Sequence, residues 1–323
     1  MSPRFLALAV LAAALACGAL AWNMPGSERV RVDIPSGLRA RDTAALLRRE
    51  GVLRSALEFR ILAKLTGKDR SLKPGEYLFR KPTPSFKVLN ALYLGMTERI
   101  RVVIPEGFMA KQIADRLDAS GVTDSADFMA YVDANNLEGF LFPTTYFFSK
   151  GMSAEKVAHH MHDEFDRQVA PHFAPVQSKR FTLGQVTTLA SIVQREAAVV
   201  GEMPMIAAVY SNRLRDRMRL EADPTVQYAL GRDTGRWEQN LRYKHLEVYS
   251  KYNTYVHFGL PPGPICSPGL DAVRAVLNPA KTDAIYFVAD NTGHHAFSRT
   301  LEEHNRARDR AKKERRLRKL QSQ

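Results

Sequence analysis

Two stretches of this 323-residue chain repeat each other 70 positions apart, and that duplication limits the architecture more than any other feature. Ile34, Pro35, Gly37, Ala40, Ala44, Leu47, Gly51 and Val52 recur as Ile104, Pro105, Gly107, Ala110, Ala114, Leu117, Gly121 and Val122. Self-similarity at a fixed spacing marks a repeated supersecondary unit. Each copy reads as a short β-run (30–34; 100–104) entering a Pro-x-Gly turn, then a helix with apolar residues at helical spacing. Gly51 and Gly121 fall where helix C-caps are expected. A second short helix follows in each copy, at 55–65 and 125–134. The fold class expected is therefore α+β.

Between the copies, Lys73-Pro74-Gly75-Glu76-Tyr77-Leu78-Phe79 reads as a turn and a strand, and 85–94 as a helix ending at Gly95. A strand followed by two small helices is how glycan-binding LysM modules begin. A duplicated scaffold with no ligand of its own is the alternative. Beyond the second copy, Glu138-Gly139-Phe140-Leu141-Phe142-Pro143 and Tyr146-Phe147-Phe148 form an aromatic patch. Most of it is expected in the core, with a few rings free to stack on sugar.

The N-terminus bears on location. After Arg4, residues 5–22 form an uncharged run of 18 residues. As a helix it would extend ~27 Å, close to the ~30 Å hydrocarbon thickness of a bilayer. Arg4 favours an N-terminus on the cytoplasmic side, so everything after Trp22 is expected on the outer face behind a single span. A cleaved signal peptide ending near Ala14-Leu15-Ala16, or a lipoprotein signal ending at Cys17, would also export the chain. With only Cys17 and Cys266 there is no disulfide framework and no cysteine metal site.

Of the formal charge of +13, +7 comes from 306–319, where nine basic residues face Asp309 and Glu314. Such a segment can meet nucleic acid, anionic lipid or an acidic polymer such as a cell wall. The plainer expectation is a solvated, partly helical tail. The expected division is a stub (1–4), an anchor (5–22), a linker (23–30), a LysM-like module (31–98), a second repeat and connector (99–178), a mixed α/β catalytic domain (179–305) and a basic tail (306–323).

The spacing predicts a helix over 182–199. Val186, Leu189, Val193 and Glu196 step by three, four and three, so they share one face. Burial at the end of that stripe would raise the Glu196 pKa and keep a general acid protonated near neutral pH. A solvent-facing Glu196, or one paired with Arg213, fits the same spacing. The following loops are rich in Tyr, Asn, Thr, Pro and Gly, types that hydrogen-bond hydroxyls and stack on sugar rings.

At these residues the chain resembles the YceG-like endolytic murein transglycosylases. The resemblance rests on the run Leu189-Ala190-Ser191-Ile192-Val193-Gln194-Arg195-Glu196, on Ser211-Asn212-Arg213-Leu214 and on Leu220-Glu221-Ala222-Asp223-Pro224-Thr225-Val226. Further along it rests on Tyr252-Asn253-Thr254-Tyr255, Gly259-Leu260-Pro261-Pro262-Gly263-Pro264-Ile265, Phe297 and Glu303-His304-Asn305. It implies a bitopic inner-membrane protein with the bulk of the chain in the periplasm, a LysM-like subdomain and one essential glutamate, at Glu196 here. In the family the helix reads Ile-Val-Glu-Lys-Glu-Thr; this chain has Gln194 for the first Glu and Ala197 for the Thr. It also has Thr144 where the family tends to have Asp.

Hydrolytic glycosidases generally use two carboxylates, and this helix offers one. The resemblance implies a reaction that manages with one. Glu196 protonates the glycosidic oxygen between N-acetylmuramic acid and N-acetylglucosamine, and the muramic C6 hydroxyl attacks C1, leaving a 1,6-anhydro end without water. Candidate substrate-binding residues are Asn212, Asp223, Thr225, Gln227, Tyr252, Asn253, Thr254 and Tyr255. Asp223 is also placed to cap the helix that follows. A non-enzymatic glycan-binding scaffold and a water-using muramidase are the competing readings. No cofactor, metal site or nucleic-acid partner is expected: His159, His160 and His162 do not converge on one helix face, and His294, His295 and His304 read as pocket lining or core polar groups. Association with glycan-polymerising synthases is implied by the resemblance alone.

Overall fold

A computed structural model describes residues 24–96, 99–173, 181–290 and 292–321. The chain divides into two compact units, one running through Ile100 and including Phe147–Lys150, the other holding Arg101–Tyr146 and the residues from Gly151 onward. The division passes through strands of the second repeat.

In the first unit, β1 (Glu28–Ile34) pairs antiparallel with β2 (Gly75–Lys81) along its whole length, from Glu28 opposite Lys81 to Ile34 opposite Gly75. Val32 and Ile34 are buried in the core while Arg31 and Asp33 face water, the period-two alternation of a half-buried strand. Between the strands lie α1 (Ala40–Arg49) and α2 (Ala56–Leu65), and α3 (Ser85–Leu94) follows β2. The Ser55 hydroxyl accepts the Glu58 N–H at 3.2 Å and caps α2. Ile34, Leu47, Val52, Phe59, Tyr77, Phe79, Val88 and Leu92 close the core. Inside it, the Tyr77 hydroxyl is satisfied by donating to the Lys73 carbonyl at 2.8 Å.

The second repeat gives β3 (Arg99–Val103), α4 (Ala110–Ala119), α5 (Ser125–Ala134) and β4 (Thr145–Ser149), with β3 beside β4. Equivalent positions behave alike: Ile34 and Ile104, Leu47 and Leu117, and Val52 and Val122 are all buried. Gly51 and Gly121 close their helices at φ of 75° and 71°, a left-handed conformation that disfavours any side chain. The copies differ in what they join. The second is stitched to the larger unit by two backbone bonds of 2.8 Å, Gly107 N–H to the Ser267 carbonyl and Ser267 N–H to the Phe108 carbonyl. Met109 lies in the larger unit's core.

The rest of the second unit comprises α6 (Ala154–Phe173), α7 (Leu183–Glu196), α8 (Met203–Arg215), α9 (Asp223–Gly231), the single turn α10 (Tyr243–Leu246) and α11 (Leu270–Leu277). A hairpin of β5 (Tyr286–Ala289) and β6 (His295–Ser298) then leads to α12 (Leu301–Gln321). Helix α7 packs against α8, α9 and α11. It is shorter than the spacing predicts, because Ala197 turns extended (φ −73°, ψ 116°) and leaves Glu196 as the last helical residue. It is also buried all round rather than on one stripe: Thr187, Thr188 and Ser191 are as hidden as Leu189. Helix α12 carries the basic tail as an exposed helix that begins five residues before the expected boundary.

No helix among the described residues is long and apolar enough to cross a membrane. The run at 5–22, with Cys17 and the candidate cleavage sites, lies outside the described residues.

The repeat's core positions make a direct test of this packing. Leu47→Ala and Leu117→Ala are each expected to cost about 2–5 kcal/mol, the usual range for deleting a fully buried leucine side chain, measured by urea unfolding.

Candidate active site

Helix α7 is set in place at both ends. At its start, the Thr182 hydroxyl accepts the Gln185 N–H at 3.2 Å, and the Gln185 side chain accepts the Thr182 N–H at 2.9 Å. This reciprocal capping box satisfies two amides that the helix leaves unpaired. In the middle, the Ser191 hydroxyl donates to the Thr188 carbonyl at 2.7 Å and accepts the Ile265 N–H at 3.0 Å. The Cys266 thiol donates to the Ser191 carbonyl at 3.3 Å, so the 265–266 segment is strapped along the helix. Near its end, the Gln194 carbonyl oxygen accepts the Gly269 N–H at 2.9 Å. Either Gln or Glu supplies that acceptor, which accounts for Gln194. The neutral amide also avoids a second negative charge beside Glu106, whose carboxylate lies so close to Gly269 that a Cβ would not fit there.

Glu196 is half-buried, and its Oε1 accepts a hydrogen bond of 2.6 Å from the Tyr210 hydroxyl on α8. Burial pushes the Glu196 pKa up to about 7. The Tyr210 hydrogen bond pulls it down, the Asp223 charge pushes it further up, and Arg195 and Arg213 pull it down. The negative end of the α7 dipole adds to the upward pressure. The result is a carboxyl group that holds its proton up to neutral pH. Tyr210 is itself buried, its ring edge-on to Phe287 at 5.6 Å between centroids. Burial first, then the Glu196 charge, raise its pKa well above the ordinary tyrosine value, so its hydroxyl stays a donor.

The next layer fixes Tyr210. Phe287 meets His295 edge-on at 5.3 Å, and the His295 ring lies 2.7 Å from Glu202, which also accepts the His295 N–H at 3.0 Å. Burial works against the Glu202 charge, but the His295 and His294 hydrogen bonds outweigh it and hold the pKa below the usual carboxylate range. His294 and His295 thus join the β5–β6 hairpin to the turn that follows α7. His304 stacks on Tyr286 at 5.3 Å.

The sequence-derived substrate residues divide into two groups. Asp223 and Tyr255 are brought to the Glu196 region: the Tyr255 hydroxyl donates to Asp223 at 2.6 Å, and the Asp223 charge acts on Glu196. Asp223 does not cap α9 with its side chain; Ala222 occupies the N-cap and Asp223 lies in the first turn. The other group holds the framework. Asn212 is buried and donates to the Thr282 and Ala284 carbonyls at 2.9 and 3.0 Å. Asn253 is buried and donates to the Leu246 and Val248 carbonyls at 2.9 and 2.8 Å. Thr225 and Thr254 share a buried 2.9 Å hydroxyl contact, and Thr254 accepts the Ala222 N–H. Gln227 donates to the Glu238 carbonyl at 2.8 Å. Arg213 does not bond Glu196; it binds the carbonyls of Ile285, Arg219 and Leu220 and the Glu221 carboxylate. Tyr252 packs its ring at a tilt against Tyr228, 4.8 Å between centroids, and lines a cleft of ≈ 880 Å³ that does not include Glu196.

Two residues escaped the sequence reading. Tyr210 is reached only through the angle at which α8 packs on α7, which no local pattern encodes. Glu138 had a visible signal, a lone acid in an aromatic run. Its carboxylate accepts the Ala110 N–H at 3.0 Å and the Tyr228 hydroxyl at 3.1 Å, and burial pushes its pKa up to about 7 despite both bonds. The Thr144 carbonyl accepts the Ile104 N–H at 2.9 Å; nothing in the structure explains its side chain.

The YceG-like family profile matches residues 32–310. An endolytic murein transglycosylase of Bacillus subtilis (strain 168) is 30% identical over 307 residues, covering 87% of this chain and 84% of that protein. One from Streptococcus pneumoniae (strain D39) is 29% identical over 320 residues, covering 86% of this chain but only 57% of the longer pneumococcal protein. The 2.6 Å crystal structure of a yceG-like protein from Listeria monocytogenes superimposes with a TM-score of 0.56 at 34% identity, covering 86% of this chain and 98% of that one. With most of its length matched by the profile and by these relatives, the chain belongs to the YceG-like family.

Proposed function

We propose that this protein is an endolytic murein transglycosylase, a lyase that cuts peptidoglycan strands internally with Glu196 as its acid and base. The observation that carries this reading is the Glu196 carboxyl group at the end of a packed helix, hydrogen-bonded by Tyr210, where burial pushes its pKa up to about 7. The Bacillus relative bears this activity in its name. In the reaction, Glu196 gives its proton to the oxygen linking N-acetylmuramic acid to N-acetylglucosamine as the C1–O bond breaks. The muramic C6 oxygen bonds to C1, and its proton returns to Glu196. No water enters, and the attack gains the proximity advantage of an intramolecular nucleophile. The Tyr210 hydroxyl stabilises Glu196 while it is ionised, between the two proton transfers. The Asp223 charge, which acts on Glu196, would also support positive charge at C1. Hydrolysis with Asp223 as the second carboxylate is the competing chemistry, and the products distinguish the two.

The location follows the sequence reading. Residues 5–22 act as a single inner-membrane span behind Arg4, with the folded units in the periplasm. The strand–helix–helix–strand order of the first unit supports a LysM-like glycan-binding role, and glycan-polymerising synthases are natural neighbours for a strand-terminating enzyme.

Digestion of purified peptidoglycan, with products weighed by mass spectrometry, tests the activity. Wild type is expected to leave 1,6-anhydro ends, and Glu196→Gln to lower their rate of formation at least 100-fold. Reducing ends would establish hydrolysis, and an inert wild type a binding protein.

The pH profile tests the environment of the acid. The active form is protonated, so activity is expected to fall as pH rises through about 7. Asp223→Asn removes a charge that favours the proton and should move this limb to lower pH. Tyr210→Phe removes a donor to the carboxylate and should move it to higher pH.

A further inference from the structure

The cleft of ≈ 880 Å³ in the second unit is separate from Glu196 and has a constructed floor. Glu138 sits there, bonded to the α4 N-terminal amide of Ala110 and to the Tyr228 hydroxyl. Tyr228 packs against Tyr252, and Arg232 on the same side bonds Asp133 at 2.6 Å. Phe140, Phe258 and Pro262 supply apolar walls, and the loop from Gly259 to Pro264 forms a rim.

We propose that this cleft binds a neutral N-acetylhexosamine of the glycan strand, flanking the bond that Glu196 cuts. Three observations support this occupant. The floor offers tyrosine hydroxyls and a carboxyl group that burial keeps able to carry a proton, a mixture of donors and acceptors suited to sugar hydroxyls and an acetamido group. The walls offer aromatic and proline faces, which stack on the C–H face of a pyranose. Among the described residues that line it the charged ones are Asp133, Glu138 and Arg232, and Asp133 already pairs with Arg232. In this lining two carboxyl groups stand against one guanidinium that is already paired, which favours an uncharged sugar over a carboxylate-bearing stem peptide.

The cleft is also joined to the acid through two elements. Helix α9 carries both Asp223, whose charge acts on Glu196, and Tyr228, which lines the cleft, five residues or ~7.5 Å apart along its axis. The loop after α10 places Tyr255 on Asp223 and Tyr252 in the cleft. One strand can therefore be held by the cleft and cut at Glu196, and gripping it away from its end is what internal cleavage requires. The inference rests on the proposed glycan activity, but its test does not depend on catalysis.

The test is calorimetric titration of the full-length, detergent-solubilised protein with chitotetraose, a soluble uncharged N-acetylglucosamine oligomer. Wild type and Glu196→Gln are expected to bind equally. Phe258→Ala, at an exposed wall position, and Tyr252→Phe, which keeps the ring and loses the hydroxyl, should each weaken binding about tenfold with unchanged melting temperatures. Equal binding by these two variants and wild type would overturn the assignment. So would absent binding by wild type, or Phe258-dependent binding of free stem peptide in place of the sugar. If Glu196→Gln still forms anhydro ends, the acid assignment fails while the cleft result stands.

Discussion

The hydrogen bond between Tyr210 and Glu196 sits where three constraints meet: a fully packed helix, an abrupt helix end, and a partner on a neighbouring helix. Packing removes water from around the carboxyl group, and this penalises ionisation more than the tyrosine bond favours it. If α7 ran one turn longer, Glu196 would lie inside the helix rather than at its lip. If Tyr210 were absent, the ionised form would lose its donor. The site therefore depends on the position of α7, and much of the second unit serves to fix that position.

That dependence explains why so many motif residues lie away from the reacting region. Asn212 donates to the Thr282 and Ala284 carbonyls and Arg213 to the Ile285 carbonyl, and together they bind the segment before the hairpin to α8. Asn253, Thr254 and Thr225 lock the loop that delivers Tyr255 to Asp223. Each bond is worth about 1 kcal/mol net, but a buried donor left unpaired costs more than that. Residues of this kind shape a site without touching what it holds.

The sequence made β1, β2, β3 and most helices legible, because periodicity, caps and left-handed glycines are local signals, whereas β4, β5 and β6 carried no such mark. Ser55, Gly95 and Gly121 mark helix ends within a residue of where they lie. Glu196 was legible as a carboxylate on an apolar face. What stayed hidden is non-local. Tyr210 lies fourteen residues from Glu196 on another helix, and the fate of the Tyr-Asn-Thr-Tyr segment turns on which side chains face inward. Asn253 and Thr254 face the interior while Tyr252 and Tyr255 face a cleft and a carboxylate, a division that composition does not encode. Nor does the repeat reveal that its second copy is built into the acid-bearing unit, since the Gly107–Ser267 pairing spans 160 positions.

The central claim is that Glu196 holds its proton near neutral pH, and infrared difference titration measures this directly. The protonated carboxyl C=O band of wild type minus that of Glu196→Gln isolates one group, with Glu138 cancelling in the subtraction. The account predicts that this difference band disappears with a midpoint near pH 7. A midpoint near 4.5, the ordinary value for glutamate, would contradict it.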